Sequence, residues 1–180
     1  MNKSRLLFFL LLPFFLTACG DADSDHGHAH GADGADGAHG SPADPVDPIT
    51  VVNGMTIVEM TGNDRMKYNV EAFTVPAGSP VKIIFRNVGK MPKAAMGHNV
   101  VFLTADADEN VFAAASASAR DNDYLPADMM DQILATTKML GPGESETIEF
   151  TAPNEPGEYI FLCSFPAHMF AGMRGVMTVE

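Results

Sequence analysis

The fold class that the sequence predicts for residues 50–180 is all-β: a Greek-key β-sandwich with one helical insertion. Three observations carry that expectation. From Thr50 onward, at least seven short runs of apolar residues alternate or cluster. Gly, Pro or Asn bound these runs, and such residues end strands and make turns. One stretch, Ala105 to Lys138, breaks the rhythm. Short strands at this spacing are the pattern of a sandwich with Greek-key connections.

In chain order, "TVVNGMTIVEM" reads as a strand or hairpin arm. "EAFTVPAGSPVKIIFRNVG" reads as strand, Pro-Gly turn, strand, with Val81, Ile83 and Phe85 on one face. "HNVVFL", starting at His98, is a short and largely buried strand. Within the departing stretch, "PADMMDQILATTK" has helical spacing with Asp near its start, which predicts a helix packed outside the sandwich. "SETIEFTAP" and "EYIFLCS" are two further strands joined by a turn-rich segment, and "GVMTVE" closes the chain.

The N-terminus reads differently. Lys3 and Arg5 precede an apolar run from Leu6 to Leu16, then Thr17-Ala18-Cys19. A positive start, a short apolar run and small residues make a secretory signal, here residues 1–18. The run is too short for a membrane-spanning helix, which needs roughly 20 residues. The four residues ending at Cys19 resemble a bacterial lipobox, which implies cleavage before Cys19 and a lipid on its sulfur. Residues 19–49 follow as an acidic tether of Gly, Ala, Asp, His and Pro with no aromatic residue, unable to form a core. The whole chain carries a formal charge of −12. A nucleic-acid binder needs a basic footprint, so that class is set aside.

With Cys19 lipidated, Cys163 is the single free thiol of the mature chain, and an exported protein must protect it or use it. Outside the tether the chain holds two histidines, His98 and His168. The spacing Cys163-x4-His168-x4-Met173 puts a thiolate, an imidazole and a thioether on one strand end and its following loop. His98 reaches the same end if its strand lies beside that of Cys163. Two imidazoles and a thiolate in a plane with a weak axial thioether form the ligand set of a blue copper site. Thiolate and thioether favour Cu(I), while imidazole suits both Cu(I) and Cu(II). Such a set changes little between the two states, which lowers the barrier to moving an electron. Met169 is the competing candidate for the thioether.

The motifs "MGHNVVF" and "CSFPAHMFAGMRGVMTV" resemble those of the cupredoxins, the azurins above all, and the likeness extends from about Met55 to Val179. It implies that His98, Cys163 and His168 bind copper equatorially and Met173 axially, with the Gly97 carbonyl approaching the metal. Asn99, Ser164 and Phe165 would surround the ligands, with Asn99 locking the cysteine loop and backbone N–H groups of Asn99 and Phe165 aimed at the sulfur. Met96, Met169 and Phe170 would form an apolar docking patch. Two features depart from azurins: four residues rather than three separate His168 from Met173, as in plastocyanins and auracyanins, and the structural disulfide is missing. The lipobox and tether look auracyanin-like.

The resemblance implies a monomeric one-electron carrier, anchored in the bacterial cell envelope by a lipid on Cys19. Its transient partners would be redox proteins of a respiratory or photosynthetic chain. The alternative is a protein that stores or delivers copper, with the tether's "HGHAH" as a gathering arm. An enzyme such as a multicopper oxidase needs a second catalytic copper site, for which two histidines are too few.

Overall fold

The computed structural model describes residues 47–180. The signal sequence, Cys19 and all but the end of the tether lie outside the described residues. The domain opens with a hairpin, β1 (Ile49–Val52) and β2 (Met55–Asn63). Its two-residue turn, Asn53-Gly54, takes positive φ at both positions, 51° and 81°, as the right-handed twist of a tight hairpin demands.

The strands that follow are β3 (Lys67–Tyr68), β4 (Ala72–Val75), β5 (Pro80–Asn87), β6 (Val101–Leu103), β7 (Ile133–Thr136), β8 (Ser145–Thr151), β9 (Gly157–Leu162) and β10 (Arg174–Val179). They form two sheets. One runs β1-β2-β5-β8 with β3 added to β2, and the other runs β4-β10-β9-β6-β7. The β2/β5 and β4/β10 pairs are parallel, so their connections cross between sheets. The sandwich expected from the strand rhythm is therefore present.

Period-2 burial explains the packing. Along β5, Val81, Ile83, Phe85 and Asn87 are buried while their neighbours are not. Along β2, Val58 and Met60 do the same. The inner faces meet in a core that includes Phe73, Phe85, Phe102, Phe161 and Met177. Full burial of each such side chain contributes about 1.5–3 kcal/mol. A smaller core holds Val101, Leu103, Phe112, Ala113, Leu162 and Met169 beneath the inserted segment.

Two local expectations are corrected. The insertion contains a helix, α2 (Glu109–Ser116), capped by the Asp108 carboxylate on the Asn110 and Val111 amides. "PADMMDQILATTK", however, is a short 3-10 stretch, Ala127–Gln132, followed by β7. Met129 sits at φ −125°, which breaks the helix, and the β-branched Ile133 and Thr136 extend to pair with the free edge of β6. Tertiary pairing overrides the helical spacing. The strand expected from His98 starts instead at Val101. A four-residue helix, α1 (Lys93–Met96), delivers the chain to His98, which forms an isolated bridge with Leu140.

Candidate metal centre

Cys163 follows β9 directly, and β9 is a central strand, paired with β10 on one side and β6 on the other. Its backbone N–H donates to the Met173 carbonyl at 3.1 Å, which closes the loop between them. Inside that loop His168 N–H donates to Phe165 O, Gly172 N–H to Met169 O, and Met173 N–H to His168 O at 2.9 Å. Gly172 takes φ 92°, a left-handed conformation that suits glycine. The loop is thus a compact set of turns that brings the His168 imidazole to 3.5 Å from the Cys163 sulfur and buries Met173.

His98 comes from the opposite direction. It exchanges two backbone hydrogen bonds with Leu140, 3.1 and 2.7 Å, and the Asn87 side-chain amide donates to the same Leu140 carbonyl at 3.0 Å. The result is a tight cluster. Cys163 Sγ lies 4.0 Å from His98 Nδ1 and 3.5 Å from His168 Nδ1, and all three donors fall within 4.8 Å of one another. A metal bonded to nitrogen and sulfur at roughly 2.0–2.3 Å, with about 120° between bonds, needs donors about 3.7 Å apart. The cluster fits. His98, Cys163 and Met173 are fully buried, and His168 is 3% exposed.

Burial also sets the charges. It pushes the Cys163 thiol up to about 12, against a smaller opposing effect of the Asn99 and Phe165 backbone N–H groups. It pulls His168 down to about 4, helped by the neighbouring His98. Burial lowers His98 too, opposed by the Asp64 carboxylate and the Asn63 carbonyl. Both imidazoles are therefore neutral and ready to bind at neutral pH, whereas the thiol needs the charge of a cation to lose its proton.

The other residues singled out in the sequence fall as follows. Gly97 is buried, and its carbonyl lies 4.0 Å from Cys163 Sγ. Asn99 and Ser164 grip each other: Ser164 N–H donates to Asn99 Oδ1 at 2.9 Å and Asn99 Nδ2 donates to Ser164 Oγ at 2.8 Å. The Phe165 ring lies against His168, centroids 4.5 Å apart. Phe170 is 60% exposed and Met96 is half-buried. Met169 is not on that surface; it is 5% exposed and belongs to the smaller core.

One wall of the site went unseen in the sequence. The β2–β3 hairpin touches it repeatedly. Gly62 lies against Met173 and His98, Lys67 Nζ donates to the Gly172 carbonyl at 3.2 Å, and the buried Tyr68 hydroxyl donates to the Asn99 carbonyl. The available signal was a glycine inside an otherwise good strand, "TIVEMTGN".

Two imidazoles and a thiol within 4.8 Å of one another, with a buried thioether nearby, at a loop between adjacent strands of a β-sandwich, are the donors of a soft metal site. The family model described as copper binding proteins, plastocyanin/azurin family, matches residues 55–180. The chain belongs to that family. Azurin from Pseudomonas aeruginosa is 36% identical over 126 residues, covering 68% of this chain and 84% of that one. Outer membrane protein H.8 from Neisseria meningitidis is 35% identical over 128 residues, covering 70% of this chain and 68% of that one. Among solved structures, reduced auracyanin from the photosynthetic bacterium Roseiflexus castenholzii is 41% identical with a TM-score of 0.58, covering 72% of this chain and 99% of that chain. The cupredoxin resemblance read from "MGHN" and the Cys163 loop is thereby established, as is copper as the metal this site is built for.

Proposed function

We propose that this chain is a type 1 blue copper protein that carries single electrons between redox proteins of the bacterial cell envelope. The observation that carries the reading is the convergence of His98 Nδ1, Cys163 Sγ and His168 Nδ1, buried, with Met173 beside them, in a chain of the plastocyanin/azurin family. In this reading His98, Cys163 and His168 would hold the metal, with the Met173 thioether as a further, weaker donor and the Gly97 carbonyl, 4.0 Å from the Cys163 sulfur, close by. Bound copper supplies one-electron chemistry, alternating between Cu(II) and Cu(I).

The protein's own part is to keep the donors still. His98 is pinned by Leu140, and the Cys163 loop is pinned by the Asn99–Ser164 pair and by its internal turns. Donors that do not move between oxidation states leave little reorganisation to slow the transfer. The Asn99 and Phe165 N–H groups face the sulfur and favour its thiolate. His168, at the edge of the buried cluster, is the electron's way out. Phe170 and Met96 form the apolar docking face around it, small enough for brief encounters.

Lipidation of Cys19 would hold the domain at a membrane surface, with the tether giving it reach. A relative named as an outer membrane protein supports an envelope location. The test is an optical and paramagnetic-resonance spectrum of the purified protein loaded with Cu(II). An intense visible sulfur-to-copper band with a narrow copper hyperfine splitting is expected, and Cys163→Ser should give a folded, colourless protein. A folded, copper-loaded wild type without colour would sink the reading.

A further inference from the structure

Gly62 lies in the interior of β2, where glycine weakens a strand, and it is not in the left-handed region where φ alone would call for glycine. What excludes a side chain there is space. A methyl group on Gly62 would stand 2.8 Å from Met173 Cε, 3.1 Å from Phe85 Cζ and 3.3 Å from His98 Cβ. We propose that Gly62 is a positioning residue whose missing side chain sets where the Met173 thioether sits relative to the His98–Cys163–His168 triangle. This rests on the type 1 copper reading above.

The mechanical argument is that everything around the gap is fixed except one side chain. Gly62 cannot retreat. It pairs with Asn87 of β5 on one side and Tyr68 of β3 on the other, and its carbonyl accepts from Val88 N–H at 2.8 Å. Phe85 is fully buried in the larger core, with its ring edge-on to Tyr68 at 6.0 Å. His98 is held through both of its backbone bonds to Leu140. The Met173 backbone is held by His168 and Cys163, but its side chain turns about three bonds. A methyl at position 62 therefore pushes first on the end of Met173. The nearest atom, Cε, is bonded to the sulfur, so the displacement is passed directly to the axial donor.

The experiment compares Gly62→Ala, Met173→Ala and the double variant, both metal-free and loaded with Cu(II). In the apo proteins, urea denaturation should show that Gly62→Ala is destabilising in the wild-type background and costs much less when residue 173 is already Ala. In the loaded proteins, Gly62→Ala should shift the reduction potential and change the copper hyperfine splitting while keeping the visible band. Both changes should largely vanish in the Met173→Ala background. If Gly62→Ala does not fold alone, the double variant should fold, and its failure to do so overturns the proposal. Equal costs in the two backgrounds, or an unaltered potential in a folded Gly62→Ala, also overturn it. The apo comparison needs no copper, so it separates this inference from the electron-carrier reading, which fails on an absent visible band in the wild type.

Discussion

Replacing Asn99 by Ala should destabilise the apo protein by roughly 3–5 kcal/mol, and the figure follows from two hydrogen bonds and one stranded donor. Asn99 is fully buried. Its carboxamide accepts from Ser164 N–H at 2.9 Å and donates to Ser164 Oγ at 2.8 Å. Each bond contributes about 1 kcal/mol net, and leaving the Ser164 N–H unpaired adds about 1–3 kcal/mol, because Ser164 is buried. Ser164→Ala removes only the hydroxyl, strands the Asn99 amide nitrogen and should cost about 1–2 kcal/mol. A domain of this size is stable by about 5–15 kcal/mol, so both variants should remain folded for measurement by urea denaturation. In a double-mutant cycle the pair should couple by about 1 kcal/mol, the value of the one bond that both changes remove. An Asn99→Ala cost within about 0.5 kcal/mol of zero would refute the claim that this pair locks the Cys163 loop.

Three further outcomes are expected. The apo protein should be most stable between about pH 6.5 and pH 9, and chemical denaturation across pH reads this. Below that range the unfolded chain takes up a proton that folded His168 refuses until about pH 4; above it, unfolded Cys163 loses a proton that the fold retains up to about pH 12. Copper loading should abolish the alkaline slope, since Cys163 then holds no proton in either state there, and steepen the acid one, since the metal-bound ligands take up none of the protons that the unfolded chain takes up. Met173→Gln, which replaces a thioether by a harder oxygen donor, should lower the reduction potential, whereas Met169→Gln should act mainly on stability because Met169 lies in the smaller core. Equal shifts of potential at the two positions in voltammetry would show that Met173 is not the axial donor. Cys19→Ser should move the protein from the membrane to the soluble envelope fraction on fractionation, and retention of the processed variant would point to another anchor.

What the sequence made legible was chemistry carried by scarce residue types. The described domain has two histidines and one cysteine, so ligand candidates were few, and the x4 spacings placed them on one loop. The alternating burial of β2 and β5 was legible for the same reason that sheets have two faces. Position 169 misled because adjacency to His168 says nothing about direction. In the turn where Ala171 N–H returns to Ala167 O, successive side chains fan apart, and Met169 turns inward while His168 faces the site.

The hairpin wall was illegible for a different reason. Sequence motifs record side chains, and this wall works through backbone atoms and through an absent side chain. The Gly172 carbonyl receives Lys67, the Asn99 carbonyl receives Tyr68, and Gly62 contributes the space that Met173 fills. None of these has a residue type that announces a metal. The four donors therefore say which metal the site can hold, while the geometry that tunes it is set on a strand whose Gly62 lies 36 residues from His98 and 111 from Met173 in sequence. A chain that kept His98, Cys163, His168 and Met173 but lost Gly62 would still read as a copper protein. By the packing argued above, it would hold its axial sulfur somewhere else.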